Sequence, residues 1–326
     1  MLVSIVIVAY NEEQYLDGLF KDIENQTYDH KKIELVLIDS NSNDRTLEIF
    51  KKIKKNSDFF SVQILNNKEK YLPHGCNLAI DSYRGDIFIR IDAHAKIPSN
   101  FVEKNVDTIK NGEKICGGPR PNIIENATSF SELLLNIENA MFGSGFANYR
   151  KSDGKKYVKS IFHGAYHRSV FDRVGKYDEK LLRTEDNDMS YRIRKEGYKI
   201  LYSPEIISYQ YTRPTLFKML KQKFLNGYWI GKTVKKDPKI ISIFHFIPFV
   251  FLLSLIFCIF LTFFGCSFFL KLLCILYGSI LILTTISVFI QTKSILSFLS
   301  PIILLFLHLS YGVGTLKGLL NKESMK

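Results

Sequence analysis

Val3-Ser4-Ile5-Val6-Ile7-Val8-Ala9 is an almost unbroken run of β-branched apolar residues, and it gives way at once to Tyr10-Asn11-Glu12-Glu13. A strand wetted on one face alternates apolar with polar residues, whereas a strand covered on both faces of a parallel sheet reads as a continuous apolar run. The stretch therefore predicts a central, doubly covered strand. Working outward, Leu16, Leu19, Phe20 and Ile23 give the next segment one apolar helical face, and residues 33–38 supply a second buried strand. The alternation continues through Asp39-Ser40-Asn41-Ser42-Asn43-Asp44 as a loop and helix start, a helix to Ile53, a strand over 62–65, a helix over 76–83 and the apolar run 87–91. Repeated strand–helix units of this kind predict an α/β fold with a doubly wound, mostly parallel sheet.

In such sheets ligands bind beyond the carboxyl ends of the strands, at a topological switch point. Ala9-Tyr10-Asn11-Glu12, Asp39 and Asp92-Ala93-His94 all fall at such ends. A carboxylate and an imidazole two residues apart can face one cation and the diphosphate it neutralises. The same tripeptide also reads as a plain strand exit with a solvated Asp and a satisfied His. Asp39 likewise reads either as a hydrogen-bonding partner for a base or as a helix-entry residue. Neither GxGxxG after the first strand nor GxxxxGK[ST] occurs, so no glycine loop is on hand to hold phosphates. A bound cation would have to do so.

Of the 326 residues, almost every Asp, Glu and Arg lies before Asp237, and an apolar tract fills 240–320. This predicts one soluble domain over 1–235, a membrane region over 240–320 and a short tail, 321–326. About 235 residues suffice for one large α/β domain. The net charge of +12 is carried by scattered lysines with no aromatic-interleaved basic stripe, which argues against nucleic acid as a partner. Its densest part, 218–239, directly precedes the apolar tract, as expected for a segment facing anionic lipid on the cytoplasmic leaflet. The first ten residues lack a basic segment and read as a strand rather than a signal peptide. The five cysteines have neither CxxC nor zinc spacing.

Three apolar stretches, about 240–264, 268–290 and 295–313, each approach the ~20 residues a bilayer core requires. Three spans would carry Lys317, Lys322 and Lys326 to the outside, against the positive-inside tendency. Two spans with an interfacial or re-entrant third segment therefore stay open. Over 213–239, Leu216, Phe217, Leu220, Phe224, Tyr228 and Trp229 recur at helical spacing among lysines, which predicts an interfacial helix or a core helix of the soluble domain. A helix over 128–142 would line an acceptor groove or face the core.

Together, Val3-Ser4-Ile5-Val6-Ile7-Val8-Ala9-Tyr10-Asn11-Glu12-Glu13, Ile38-Asp39-Ser40-Asn41-Ser42-Asn43-Asp44, Arg90-Ile91-Asp92-Ala93-His94 and Thr184-Glu185-Asp186 resemble glycosyltransferase family 2 in order and spacing. With Gly117-Gly118-Pro119-Arg120 and the trailing membrane tract, the chain looks most like bacterial glucosyltransferases of succinoglycan-type exopolysaccharide assembly. The resemblance implies a GT-A fold, a divalent cation, a nucleoside-diphosphate sugar donor, with a UDP-sugar weighted first, and inversion at the anomeric carbon. By matching position, Ala9, Tyr10, Glu12 and Asp39 would contact the nucleoside, and Asp92 the ribose and the metal. His94 departs from the family's usual second carboxylate; it keeps a metal ligand but moves the choice towards Mn²⁺ beside Mg²⁺.

In the later half, Thr184-Glu185-Asp186-Asn187-Asp188 opens a helical run. These acids either complement a helix N-terminus or form the acceptor side of the site. On the second reading, which the resemblance favours, Asp186 takes the proton from the acceptor hydroxyl and Glu185 orients the acceptor. His163 would contact acceptor or phosphate, or serve structurally. Arg213 and Gln222 only loosely match the Gln-x-x-Arg-Trp element of processive synthases, so a single sugar addition is expected. The sequence thus predicts a membrane-bound inverting glycosyltransferase, its domain cytoplasmic at the inner membrane, acting on a lipid-linked saccharide in surface polysaccharide assembly. The alternatives are a non-catalytic membrane scaffold retaining the nucleotide-binding fold, and an oxidoreductase, which the missing glycine fingerprint disfavours.

Overall fold

The computed structural model describes residues 1–145, 154–212 and 215–321. Two compact units emerge. One comprises residues 1–123 and 149–211, the other 124–148 and 212–326. Compactness thus divides the chain differently from composition, which drew the line at 235: residues 124–148 and 212–235 group with the apolar helices.

In the first unit β1 (Val3–Ala9), α1 (Glu13–Glu24), β2 (Ile33–Asp39), α2 (Thr46–Asn56), β3 (Ser61–Asn66), α3 (Leu72–Ser82) and β4 (Ile87–Arg90) alternate as predicted. The third helix starts at Leu72, ahead of the expected residue 76, because Pro73 sits in its first turn, where a missing N–H costs nothing. Short strands follow: β5 (Ala95–Lys96), then α4 (Phe101–Lys110), β6 (Ile115–Gly117) and β7 (Asn122–Ile123). After α5 (Ser129–Asn139) of the second unit come β8 (Lys156–Val158), β9 (Ala165–His167), α6 (Ser169–Val174), α7 (Glu185–Lys195), β10 (Ile200–Tyr202) and β11 (Tyr209–Tyr211).

The main sheet has the order β3-β2-β1-β4-β9-β6-β10-β8, and a small one the order β5-β11-β7. The pairs among β3, β2, β1 and β4 are all parallel, while β9 runs antiparallel to both β4 and β6. Every residue of β2 is buried, and only Val8 of β1 is not, as the apolar runs demanded. Register then fixes the site: Ala9 lies opposite Asp39, and Val6 opposite Arg90. The carboxyl ends of three neighbouring strands therefore open at one edge.

The second unit holds α5, α8 (Leu216–Lys236), α9 (Ile247–Phe263), α10 (Phe268–Thr292) and α11 (Ser300–Leu320). Residues 213–214, with which the predicted interfacial helix began, and 322–326 of the tail lie outside the described residues. The apolar face of α5, Leu133, Leu134 and Ile137, packs in a core with Met219, Val288, Ile303, Leu304 and Leu307. It is thus the core-facing helix of the two alternatives. Three helices, Ile243–Phe263, Phe268–Thr292 and Ile295–Leu320, are long and apolar enough to cross a membrane.

Candidate active site

Asp92 leaves the end of β4 and becomes the centre of a charged cluster. Its Oδ2 lies 3.2 Å from His163 Nε2 and 4.0 Å from Arg120 Nη1, and its Oδ1 lies 3.5 Å from Arg90 Nη2. Burial alone would raise the Asp92 pKa, but His163, Arg90 and Arg120 outweigh it and hold the carboxyl well below its ordinary range. Burial lowers the pKa of His163 despite the neighbouring carboxylate. Its Nδ1 meets Ser208 Oγ at 2.9 Å. A neutral imidazole that accepts from the serine hydroxyl leaves its Nε2 proton beside Asp92, the nitrogen at 3.2 Å, close in charge but without a formed hydrogen bond.

His163 is 5% exposed and lies in the left-handed region at φ 46°. It packs against Asp92 and also lines the small cavity beside Arg90 and Asp186.

Arg90 is the largest omission from the sequence reading. It forks onto Asp186, with Nη1 at 2.7 Å from Oδ1 and Nη2 at 3.2 Å from Oδ2, while the second nitrogen also faces Asp92. Two carboxylates 94 positions apart thus share one largely covered guanidinium, its side chain 12% exposed. The signal for it was present: an arginine closing an apolar strand needs a buried anion as partner. A cavity of about 10 Å³ beside this pair, lined by Arg90, Gly164, Tyr166, Tyr177 and Asp186 among others, has room for a single water.

Asp186 sits in the first turn of α7, a position where a helix N-terminus favours an anion. Its neighbour Glu185 is buried, with Oε2 lacking a hydrogen-bond partner. Burial, followed by the charge of Asp186, pushes the Glu185 pKa up to about 8. The two adjacent acids therefore have opposite environments.

Arg120 arrives from the segment after β6, which is zipped to the β10–β11 region. Gly117 O accepts from Ser203 N, Pro119 O from Ser208 N and Pro121 O from Gln210 N. Gly118 makes this approach feasible, since a Cβ there would fall 2.1 Å from Ile206 O and 2.4 Å from Ser203 O. The Arg120 guanidinium lies 4.1 Å from the centre of the Phe162 ring. Gln210, Ser208 and Phe162 were not singled out from sequence, because this zipper leaves no local signature.

His94 stands beyond Asp92, with Nδ1 3.1 Å from Glu12 Oε1 and Nε2 2.7 Å from Gln210 Nε2. Burial opposes its protonation, but the hydrogen bond and charge of Glu12 prevail and raise its pKa. Glu12, expected from sequence to contact the nucleoside, lies against His94 at the same strand ends. Tyr10, 46% exposed with Lys70 Nζ 5.8 Å from its ring centre, presents an aromatic face beside the strand ends. Asp39 is buried and accepts from Ser42 N at 3.2 Å, and its strand partner Ala9 is buried as well.

Among the described residues no three His, Cys, Asp or Glu side chains form a metal-binding group. Asp92 would offer a carboxylate to a divalent ion that takes its other ligands from a diphosphate and water, and His94 would join it by exchanging Gln210 for the ion at Nε2. A carboxylate on the far nitrogen of an imidazole, as Glu12 is on His94, is also the usual support of a metal-ligating histidine.

Residues 4–175 match the family model for glycosyl transferase family 2. The chain is 27% identical to dolichyl N-acetyl-alpha-D-glucosaminyl phosphate 3-beta-D-2,3-diacetamido-2,3-dideoxy-beta-D-glucuronosyltransferase of Methanococcus voltae, over 99% of this chain and 98% of that one. It is 25% identical to the succinoglycan biosynthesis protein ExoA of Rhizobium meliloti, over 70% of this chain and 68% of that one. Among solved structures, the mannosyltransferase PcManGT from Pyrobaculum calidifontis, in complex with GDP-Man and Mn²⁺, superposes with a TM-score of 0.62 at 14% identity, covering 98% of this chain and 88% of its own. TarS residues 1–349 of S. aureus in complex with UDP-GlcNAc gives 0.51 at 14% identity, covering 71% of this chain and 66% of its own. The sheet is accordingly a GT-A-like one, and the chain belongs to glycosyl transferase family 2 and is a glycosyltransferase.

Proposed function

We propose that this protein is a membrane-bound inverting enzyme that moves a sugar from a nucleoside-diphosphate donor, a UDP-sugar first among them, to a lipid-linked saccharide in surface polysaccharide assembly. The observation that carries the reading is the Arg90 fork, which holds Asp186 beside Asp92. Tyr10 and the Asp39 loop receive the nucleoside, and Arg120 lies within reach of the diphosphate. Asp92, with His94, would hold a divalent ion, Mg²⁺ or Mn²⁺, which would offset the charge of the departing diphosphate.

Asp186 serves as general base. Arg90 leaves its carboxylate one third exposed, so a lone pair stays open to the acceptor hydroxyl while the guanidinium fixes its aim. The acceptor oxygen attacks the anomeric carbon from the face opposite the diphosphate, and Asp186 collects its proton. Buried Glu185, favoured in its neutral form near neutral pH, shapes the pocket around Asp186 and adds no second full charge. The relative from Methanococcus voltae carries a dolichyl-phosphate-linked acceptor in its name, and the apolar helices supply the matching location. The lysines of α8 suit the cytoplasmic leaflet.

The test is transfer of label from a panel of nucleotide sugars into extractable lipid, by membranes carrying native or Asp186→Asn protein. Native activity with a loss of at least ~10²-fold in the variant is expected. Equal lipid label from both would remove Asp186 as base, and absence of turnover or metal-dependent donor binding across the panel would favour the scaffold.

A further inference from the structure

Three helices are apolar enough to cross a membrane, and the contacts within the second unit bear on how many of them do. The C-terminal end of α8 touches the C-terminal end of α11: Lys235 Nζ donates to the Asn321 carbonyl at 2.8 Å, and Asn321 Nδ2 bonds Tyr228 Oη. The two helices run side by side in one register. Ser310 Oγ donates to Leu220 O at 2.9 Å, Lys317 Nζ lies 5.7 Å from the Phe224 ring centre, and Gly318 backs onto Tyr228.

Glycines make the pairing close. A Cβ on Gly314 would lie 2.1 Å from Phe224 O, one on Gly318 2.1 Å from Tyr228 O, and one on Gly227 2.1 Å from Tyr311 O. Helices meeting backbone to backbone through small residues share one depth over their common length.

That depth is set by α8. Its sequence carries six lysines, at 218, 221, 223, 232, 235 and 236, too many for a helix in hydrocarbon. From Lys236 the chain passes through residues 237–246, in two short 3-10 turns, into α9. So α9 starts on the side of the membrane where α8 lies, and α11 ends on that same side. If α9 and α10 cross out and back, α11 both begins and ends where α8 is.

The polar residues agree. Lys293 and Ser294 lie just before α11, and Asn321 closes it. The faces of α9 and α10 are widely exposed and apolar, with Ile256, Phe257, Phe260, Ile275, Leu276 and Ile282 all open, whereas α11 exposes Ile302, Phe306 and Val313 but is the most buried of the three.

We propose that α9 and α10 are the two membrane crossings, and that α11 does not cross but lies beside α8 as a paired layer against the anionic lipid headgroups. Lys218 and Lys221 on the exposed face of α8, with Phe217 between the lipid and the helix and Lys232 over the Trp229 ring, give that layer the charge and aromatic character of a bilayer interface. The arrangement also brings Lys317 to the side of the α8 lysines, which removes the conflict with the positive-inside tendency. It rests on the membrane reading and not on the sugar chemistry.

The experiment is thiol labelling of the full chain in sealed vesicles with a membrane-impermeant maleimide. Native Cys266, in the turn between α9 and α10, serves as one reporter after the other four cysteines are replaced by serine. Lys236→Cys and Lys317→Cys serve as the others in a cysteine-free chain. Lys236→Cys and Lys317→Cys should react from one face and Cys266 from the opposite face. Reaction of Lys317→Cys from the Cys266 face, or from neither face before detergent is added, overturns the proposal. So does reaction of Cys266 from the Lys236→Cys face. Retention of each variant in the membrane fraction controls for insertion, and because no donor sugar is involved, a failure of the catalytic reading leaves this pattern unchanged.

Discussion

Replacing Arg90 by Met tests the centre of the site most directly. The methionine fills much of the arginine stem's volume but deletes both bonds to Asp186, at 2.7 and 3.2 Å, and the 3.5 Å contact to Asp92. Removing one member of a buried pair costs about 3–5 kcal/mol where the survivor stays dry. Asp186 is one third exposed, so water takes over part of what the guanidinium supplied, and a loss nearer ~2 kcal/mol is expected.

The catalytic cost is larger than this stability cost suggests. A carboxylate released from a two-point clamp loses its aim, and a displacement of about 1 Å is worth roughly 10² in rate. We expect kcat to fall ~10²-fold or more with a much smaller rise in donor KM, since Asp92 keeps His163 and Arg120. Arg90→Lys should recover only part of the rate, because an ammonium cannot occupy both carboxylate oxygens in the plane of the fork. The assay is steady-state transfer into lipid at varied donor and at varied acceptor, with thermal unfolding in detergent as a check on folding. A kcat within threefold of native in well-folded Arg90→Met would refute the clamp, and an effect confined to donor KM would reassign Arg90 to the donor.

Glu185 binds its proton more tightly in the fold than in the unfolded chain, so stability should decline as pH rises from about 4.5 through about 8, by up to ~1.4 kcal/mol per pH unit. Thermal scans in detergent across that window should show the slope flatten in Glu185→Gln. Gly118→Ala drives a methyl against the carbonyls of Ile206 and Ser203 and should destabilise the first unit by about 1–3 kcal/mol, read as a lowered Tm, with donor affinity falling because Arg120 moves. His94→Ala should raise the Mn²⁺ concentration for half-maximal activity by ~10- to 100-fold, and Glu12→Gln less so in the same direction. A metal titration unmoved by His94→Ala would restrict the ion to Asp92.

The parts of the fold that were legible are those whose own residues declare their surroundings. Val3–Ala9 and Ile33–Asp39 are apolar because both their faces are covered, and that composition alone places them at the centre of a parallel sheet. Their carboxyl ends, and with them Tyr10 and Asp39, followed from the same pattern, as did Asp92 beyond the apolar run of β4. By contrast β5, β7 and β11 are two or three residues long and exist only because distant segments pair; nothing around Gln210 announces that it will meet His94. The pairing of α8 with α11 was equally silent, since a glycine is informative only once the backbone it admits is known. Glycines 227, 231, 314 and 318 become legible together, as two facing rows, and not one at a time.

Adjacent acids at the start of α7 show why residue type alone could not assign roles. Glu185 and Asp186 are chemically near-identical and share one helix N-terminus, so sequence distinguished them only through resemblance. The fold distinguishes them by partner. Arg90 reaches up from the end of β4 to Asp186, while Glu185 turns into the protein with one oxygen unbonded. Arg90 clamps the carboxylate of Asp186, whereas burial dominates at Glu185 and pushes its pKa up to about 8 despite Arg90 nearby, so two carboxyl groups in one helix turn sit in different environments. Because Arg90 closes β4 and Asp92 follows it two residues later, any shift of β4 moves both side chains together. A substitution in the strand core, such as Ile89→Ala, should therefore disturb donor binding and proton transfer as one event.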